Sequence, residues 1–412
     1  MSTTISCGAR GRRRRIDSSS SASSAAESWI ATTAENPAPG PASVPAGRAG
    51  ATSGAVIGSR PVPPIVLNAR AAARPELGGV ERWARELSAL LPLRAPERYY
   101  VARPPEALVH RAGHAWEQTA LPLRARRAGA RLIFNPANTA PVAWAANVVV
   151  IHDVAVLRDP SWYSRAYVSW QRLLLPLLAR RALHVVTVSQ FSAGEIRELL
   201  GVGSDRISVI AGGVDERFSP RADPGAAARE LGLARPYVLS VASATARKNL
   251  GALGPAAARL ARAGVDLVAA GGSRPQFRER ERASERDARD GIRRLGAVPE
   301  RLLPGLYAGA RAFVLPSLHE GFGLTCLEAM ACGTAVVAST RGALPETCGD
   351  AALLVDPHDR DGLAQALERV LEDRPLSQRL VAAGRERARR YRWGATTDAV
   401  HELLDRLDLT PG

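Results

Sequence analysis

The chain is 412 residues long, 46% hydrophobic and +15 in net charge, with aromatic residues at only 5%. That length holds two domains of ordinary size; the positive charge, carried almost wholly by arginine, is read first as a bias of composition and, functionally, as suited to an anionic partner: a nucleoside diphosphate, a lipid phosphate or a membrane surface. Few aromatics, four cysteines (Cys7, Cys326, Cys332, Cys348) without metal-ligand spacing, and no run of about eighteen apolar residues argue against nucleic-acid reading, a zinc site and a transmembrane helix in turn.

Residues 1–60 are rich in Ser, Ala, Gly and Pro, with arginine at each position from 12 to 15. Such a stretch cannot bury enough apolar surface to order itself, so the expectation is either a disordered tail or, equally weighted, a start assigned too far upstream. Pro64 to Leu67 reads as the first strand, followed by a loop with Gly78-Gly79 and an amphipathic helix from Glu81 to Leu91. Leu132 to Phe134 and Val148 to Ile151 read as strands, the second a continuous β-branched run suited to a parallel sheet covered on both faces. His152-Asp153 stands at its carboxyl end, where such sheets bind ligands. A helix from Leu173 to Leu183, a strand from His184 to Val188 and a helix capped by Ser189 follow. Residues 211–220 read as a junction and the Pro/Ala-rich 219–227 as a linker.

The second half repeats the alternation. A strand from Tyr237 to Ser240 runs toward Arg247-Lys248-Asn249, where a strand end beside a helix start would grip a diphosphate. A strand at 265–269, a charged helix from Arg278 to Arg294 and a helix at 306–310 lead to the strand Ala312–Leu315. The turn Gly321-Phe322-Gly323 then opens a helix at Leu324, bracketed by Glu320 and Glu328. First-turn N–H groups and the helix dipole favour a phosphate there, while ionised carboxylates are pure acceptors and suit sugar hydroxyls. A strand at 336–338, a turn carrying Glu346, and helices at about 360–372, 376–390 and 393–407 complete the chain. Strands alternating with helices in both halves predict an α/β fold of two doubly wound Rossmann-like domains facing a central cleft.

The run PSLHEGFGLTCLEAMACGTAVV, with GGVERWARELSALL, HDVAVLRDP, TVSQFS and RKNL, resembles the retaining glycosyltransferases of family 4, and in detail their mannosyltransferase B-like branch. The likeness covers roughly residues 64–405. It departs at Ala335, at Ala211-Gly212, and at Ala242 and Ala246, where the family has proline, a Pro-Asn pair, and glycine and proline. The resemblance implies the glycosyltransferase-B fold: an acceptor-side domain over 61–222, a nucleotide-sugar domain over 223–392, and a helix over 393–412 returning to the first. It implies transfer of a hexose, mannose favoured, from a nucleotide diphosphate sugar to a glycan or lipid-linked hydroxyl in polysaccharide or glycoconjugate synthesis. His152, Glu320, Arg247 and Lys248 are the expected catalytic residues. Gly78, Gly79, Asp153, Gly321, Phe322, Gly323, Leu324, Glu328 and Val298 are the expected donor contacts, with Glu328 on the ribose. No cofactor and no metal are expected; GDP-mannose is the favoured donor, with UDP- or other sugars as alternatives. A cytoplasmic place is expected, with peripheral contact at the anionic inner face of the plasma membrane. The competing readings are a synthase of the same fold acting on a sugar phosphate, a sugar-phosphate phosphorylase, against which stands the lack of a lysine context for pyridoxal phosphate, and, from another class, a basic nucleic-acid-binding protein.

Overall fold

The structure is a computed structural model that describes residues 63–74, 78–109, 112–272 and 291–409. The tail at 1–60 and residues 278–290 of the expected charged helix lie outside them. The first lobe is a parallel sheet of β1 (Ile65–Asn68), β2 (Tyr99–Ala102), β3 (Ile133–Asn135), β4 (Asn147–Val150), β5 (His184–Thr187) and β6 (Ile207–Val209), in the order β2-β1-β3-β4-β5-β6. Parallel neighbours need crossovers. These are made by α1 (Gly79–Arg94), α2 (Gly113–Arg127), α3 (Ala155–Arg158), α4 (Arg165–Arg181) and α5 (Gln190–Leu200). Every residue of β1, β3, β4 and β5 is buried, which is why these strands read as unbroken apolar runs rather than alternating ones.

The second lobe opens with α6 (Pro224–Glu230) and β7 (Tyr237–Val241), then α7 (Gly254–Arg262), β8 (Asp266–Ala270), β9 (Ile292–Gly296) and α8 (Leu303–Ala308). It continues with β10 (Ala312–Leu315), α9 (Leu324–Ala331), β11 (Val336–Ser339), α10 (Leu344–Cys348), β12 (Ala352–Val355), α11 (Arg360–Glu372) and α12 (Arg374–Arg389). Its sheet, also parallel, runs β12-β11-β10-β7-β8-β9. The last helix, α13 (Trp393–Leu409), leaves this lobe and buries Val400, Leu403 and Leu404 among Leu87, Leu91 and Tyr99 of the first. The two chain crossings run side by side: Val214 and Arg392 form a parallel bridge, and a Cβ on Gly213 would sit 2.2 Å from the amide nitrogen of Trp393.

Several expected elements differ. Helix α4 begins eight residues before Leu173, because the Ser164 hydroxyl accepts the Tyr167 N–H and caps it there. The expected linker contains α6, started by Pro224 and capped by the Asp223 carboxylate on the N–H groups of Gly225 and Ala226. The expected charged helix does not reach Arg294, since Ile292–Gly296 is the edge strand β9. Val298 lies just past the end of β9, and the strand that precedes the Pro316 loop is β10. Glu346 sits in helix α10, not in a turn.

Candidate active site

Doubly wound sheets bind ligands outside the carboxyl ends of their strands, where the strand order reverses. In the second lobe the reversal falls between β7 and β10. The segments leaving those two strands therefore run together, and they carry Arg247-Lys248 and Glu320. A short 3-10 turn over Ala246–Lys248 ends at Asn249, whose φ of 54° is left-handed. Asn249 holds that conformation by donating its side-chain amide to the carbonyls of Pro316 (3.2 Å) and Pro357 (2.8 Å), which ties one loop to the other.

Lys248 donates from Nζ to Oε1 of Glu320. Arg247 donates from Nη1 to the His319 carbonyl at 2.8 Å and lies 3.5 Å from Oε2 of Glu320. Burial pushes the Glu320 carboxyl up, but the Lys248 and Arg247 charges outweigh it and hold the group at about 2. Burial pulls the Lys248 ammonium below its ordinary range against the opposing pull of Glu320. Two cations facing one carboxylate leave a positive charge over, in a setting of low dielectric where it acts strongly. Lys248 is also the only lysine in the chain; the other 54 of the 55 Lys and Arg residues are arginine.

In the first lobe the order reverses between β1 and β3, and β4 ends beside them. His152, past β4, is 7% exposed and places Nε2 3.1 Å from the Pro136 carbonyl, so Nε2 carries the proton and Nδ1 is the acceptor nitrogen. Burial lowers its pKa, the Pro136 carbonyl opposing, and Trp83 packs edge-on at 5.6 Å. Asp153 accepts the Ala155 N–H at 3.1 Å and opens α3. Gly78 is the N-cap of α1; Gly79 is exposed at its first position.

The lobes meet at Gly321. A Cβ there would lie 2.5 Å from the His152 carbonyl oxygen, so only glycine admits this approach of backbone to backbone. Ser189 Oγ donates to the Gly321 carbonyl at 2.7 Å, and Ser192 Oγ to the His152 carbonyl at 3.0 Å. The Glu346 carboxylate accepts the N–H groups of Gln190 (2.8 Å) and Phe191 (3.0 Å), capping α5 from across the cleft. His319 Nε2 lies 2.8 Å from Glu195. Phe322 packs against the cores of both lobes and edge-on to Tyr391 at 5.6 Å. Gly323, at φ 98°, is the N-cap of α9, and Leu324 is its first residue.

Glu328, one face of α9 further on, has different company. Its Oε1 accepts from Arg82 of α1 and its Oε2 accepts the Tyr307 hydroxyl at 2.9 Å. Arg82 also lies 3.4 Å from Glu300, which follows the Val298 loop and contacts Arg217 as well. Arg247, Lys248 and Glu320 are thus in direct contact, His152 joins them through Gly321, and Glu328 stands in a separate cross-lobe group. Sequence reading missed Arg82, Tyr307 and Glu195. Arg82 alone had a signal, its place in the GGVER run that opens α1.

Two facing doubly wound lobes with an anion-attracting loop pair at the reversal of one sheet form the glycosyltransferase-B fold. The glycosyl transferases group 1 family matches residues 227–387, and glycosyltransferase family 4 matches residues 77–218. The chain is 34% identical over 262 residues to the O-antigen chain mannosyltransferase B of Escherichia coli, covering 62% of this chain and 69% of that protein. It is 30% identical to the serotype-specific mannosyltransferase WbdA of Escherichia coli, covering 66% of this chain but 34% of that longer one. In fold it resembles a sucrose-phosphate synthase from Thermosynechococcus elongatus (TM-score 0.68, 24% identity, 84% of this chain and 98% of that). It also resembles HepE of Anabaena in complex with UDP-glucose (TM-score 0.65, 20% identity, 83% and 99%). The chain belongs to glycosyltransferase family 4 and is a hexosyltransferase. No helix among the described residues is long and apolar enough to cross a membrane.

Proposed function

We propose that the protein transfers mannose, with retention of configuration, from a nucleotide diphosphate sugar, GDP-mannose first among candidates, to a glycan or lipid-linked hydroxyl. The observation that carries this reading is the Arg247–Lys248–Glu320 group at the β7/β10 reversal, facing His152 across the cleft. Departure of a nucleoside diphosphate builds negative charge on its terminal phosphate. Arg247 and Lys248 would meet that charge, with the first-turn N–H groups of α9 behind them. Of the three Lys248 N–H donors, one is engaged with Glu320 and two can turn to phosphate oxygens. Glu320, held ionised, would accept hydroxyls of the sugar, and neutral His152 would contact it from the first lobe. Glu328 would accept the ribose hydroxyls. The mannosyltransferases among its relatives support the sugar, and the nucleotide-sugar complex of a like fold supports the donor class. No side chain here is assigned as a covalent nucleophile; the leaving phosphate would take the acceptor's proton.

Incubating the protein with a panel of nucleotide sugars and a lipid-linked or oligosaccharide acceptor, and reading released nucleoside diphosphate, tests this. Release with GDP-mannose is expected; release with no donor ends the proposal, and release only with a sugar phosphate as acceptor favours the synthase reading. Because Lys248 is the only lysine, amine acylation of its side chain should also be blocked by a nucleoside diphosphate.

One surface supports a peripheral place at an anionic bilayer. Along α4, Trp170 (40% exposed) and Leu173 (67%) stand outward between exposed Arg165, Arg172 and Arg180. A concavity of about 360 Å³ beside them is lined by Ser161, Tyr163, Arg165 and Arg172. An apolar ridge flanked by arginines fits an interface of acyl chains and phosphates. Sedimentation with phosphatidylglycerol vesicles, lost in a Trp170→Ala, Leu173→Ala double variant, is the expected result; equal sedimentation of both proteins refutes it.

A further inference from the structure

We propose that Arg82 is a positioning residue for the nucleoside end of the donor: reaching over from the first lobe, it holds Glu328 aimed and charged for the ribose, so that this grip exists only while the lobes are together. This rests on the reading of Glu328 given above.

The geometry is specific. Arg82 lies in the first turn of α1, where its N–H bonds the Gly78 carbonyl at 2.9 Å. Its guanidinium packs over the Phe218 ring at 5.2 Å, and Phe218 meets Tyr307 edge-on at 5.8 Å. Both Arg82 and Glu328 are more than nine-tenths buried. On Glu328, Arg82 occupies one oxygen and the Tyr307 hydroxyl the other. An ionised carboxylate has about four acceptor sites, so about two remain, the number that a pair of neighbouring ribose hydroxyls would use.

What sets this pair apart is the source of its charge. Burial pushes the Glu328 carboxyl above its ordinary range, and the first opposing influence is Arg82. Tyr307, from Glu328's own lobe, is neutral, its hydroxyl held well above its usual range by burial and by Glu328 itself. Without Arg82 a carboxyl so enclosed takes up a proton and stops being a pure acceptor. Glu300 faces Arg82 from the second lobe as well, with Arg85 at 3.6 Å and Arg217 gathered on it. The closed arrangement is thus stitched by first-lobe arginine on second-lobe carboxylate.

The test is calorimetric binding of GDP and UDP from pH 6 to 8.5 by the full chain, as wild type, Arg82→Met, Arg82→Lys, Glu328→Gln and the Arg82→Met/Glu328→Gln double variant. Arg82→Met should weaken binding about tenfold or more near neutrality. The deficit should shrink as pH rises and Glu328 ionises unaided. Arg82→Lys should recover most of the affinity, and Arg82→Met should change little in the Glu328→Gln background. If Arg82→Met does not fold, Arg82→Gln, which keeps N–H donors without charge, should show the same pH-dependent deficit. Wild-type affinity at every pH in the variant that folds, or an equal loss with and without Glu328, overturns the inference. Wild-type protein that binds neither nucleotide removes the functional reading and this inference with it, whereas wild-type binding with unmoved variants removes the inference alone.

Discussion

Glu320 and Glu328 belong to one turn-and-helix unit, eight positions apart, yet the fold surrounds them in opposite ways. Glu320 takes both its cations, Arg247 and Lys248, from its own lobe, through a neighbouring loop at the same sheet reversal. Glu328 takes its cation, Arg82, from the other lobe. The first group can stay charged whatever the lobes do; the second is complete only when they touch. Equal burial therefore gives unequal outcomes. Glu320 is held at about 2, while Glu328 remains above its ordinary range.

The largest effect should come from the self-sufficient group. Lys248→Ala should lower turnover by about 10² to 10³, measured by nucleoside diphosphate release. Lys248→Arg should also fail, by about tenfold or more, because a planar fork cannot serve Glu320 and a phosphate as a tetrahedral ammonium can. A Lys248→Arg enzyme of full activity would mean that charge alone matters there. Next comes the contact on which the second group depends. Gly321→Ala puts a methyl against the His152 carbonyl and should part the lobes, cutting turnover by about 10² while each lobe stays folded. A larger radius of gyration in solution scattering would go with the loss.

The two carboxylates should also leave opposite marks on stability against pH. A group held at about 2 adds stability that is fully present above its ordinary value of 4.5 and is lost as pH falls toward 2. For Glu320 that amounts to roughly 3 kcal/mol at most. Glu328, displaced upward, instead adds stability below 4.5 that is lost as pH rises through its raised value. Urea unfolding across this range should therefore show a flatter acid limb in Glu320→Gln than in wild type, and no such flattening in Glu328→Gln. The smallest effect is reserved for Arg94→Ala. It removes an exposed pair with Asp398 that joins α1 to α13, and should cost at most about 1 kcal/mol in the same assay.

Much of this was legible in the chain. The run Val148 to Ile151 announces a strand buried on both faces because parallel strands have no polar side to show. The glycine turn at 321–323 and the Arg247-Lys248 pair announce their loops because their chemistry is local. Less visible was β9, an edge strand written Ile-Arg-Arg-Leu-Gly, where solvent accepts arginines that a central strand would exclude. Helix α6 hid in a Pro/Ala-rich stretch because proline at a helix start looks like proline in a linker. Arg82 could be placed on α1, but its partner lies 246 positions away and becomes a neighbour only when the two sheets are brought face to face.

The closing helix carries a consequence for how the molecule is made. Val400, Leu403 and Leu404 complete the apolar interior around Leu87, Leu91 and Tyr99, so the amino-terminal half emerges from the ribosome with that wall missing. It can be finished only after the whole carboxyl-terminal half has been synthesised. A fragment ending near residue 222 should then be aggregation-prone alone and be rescued by a peptide spanning Trp393–Leu409 added in trans.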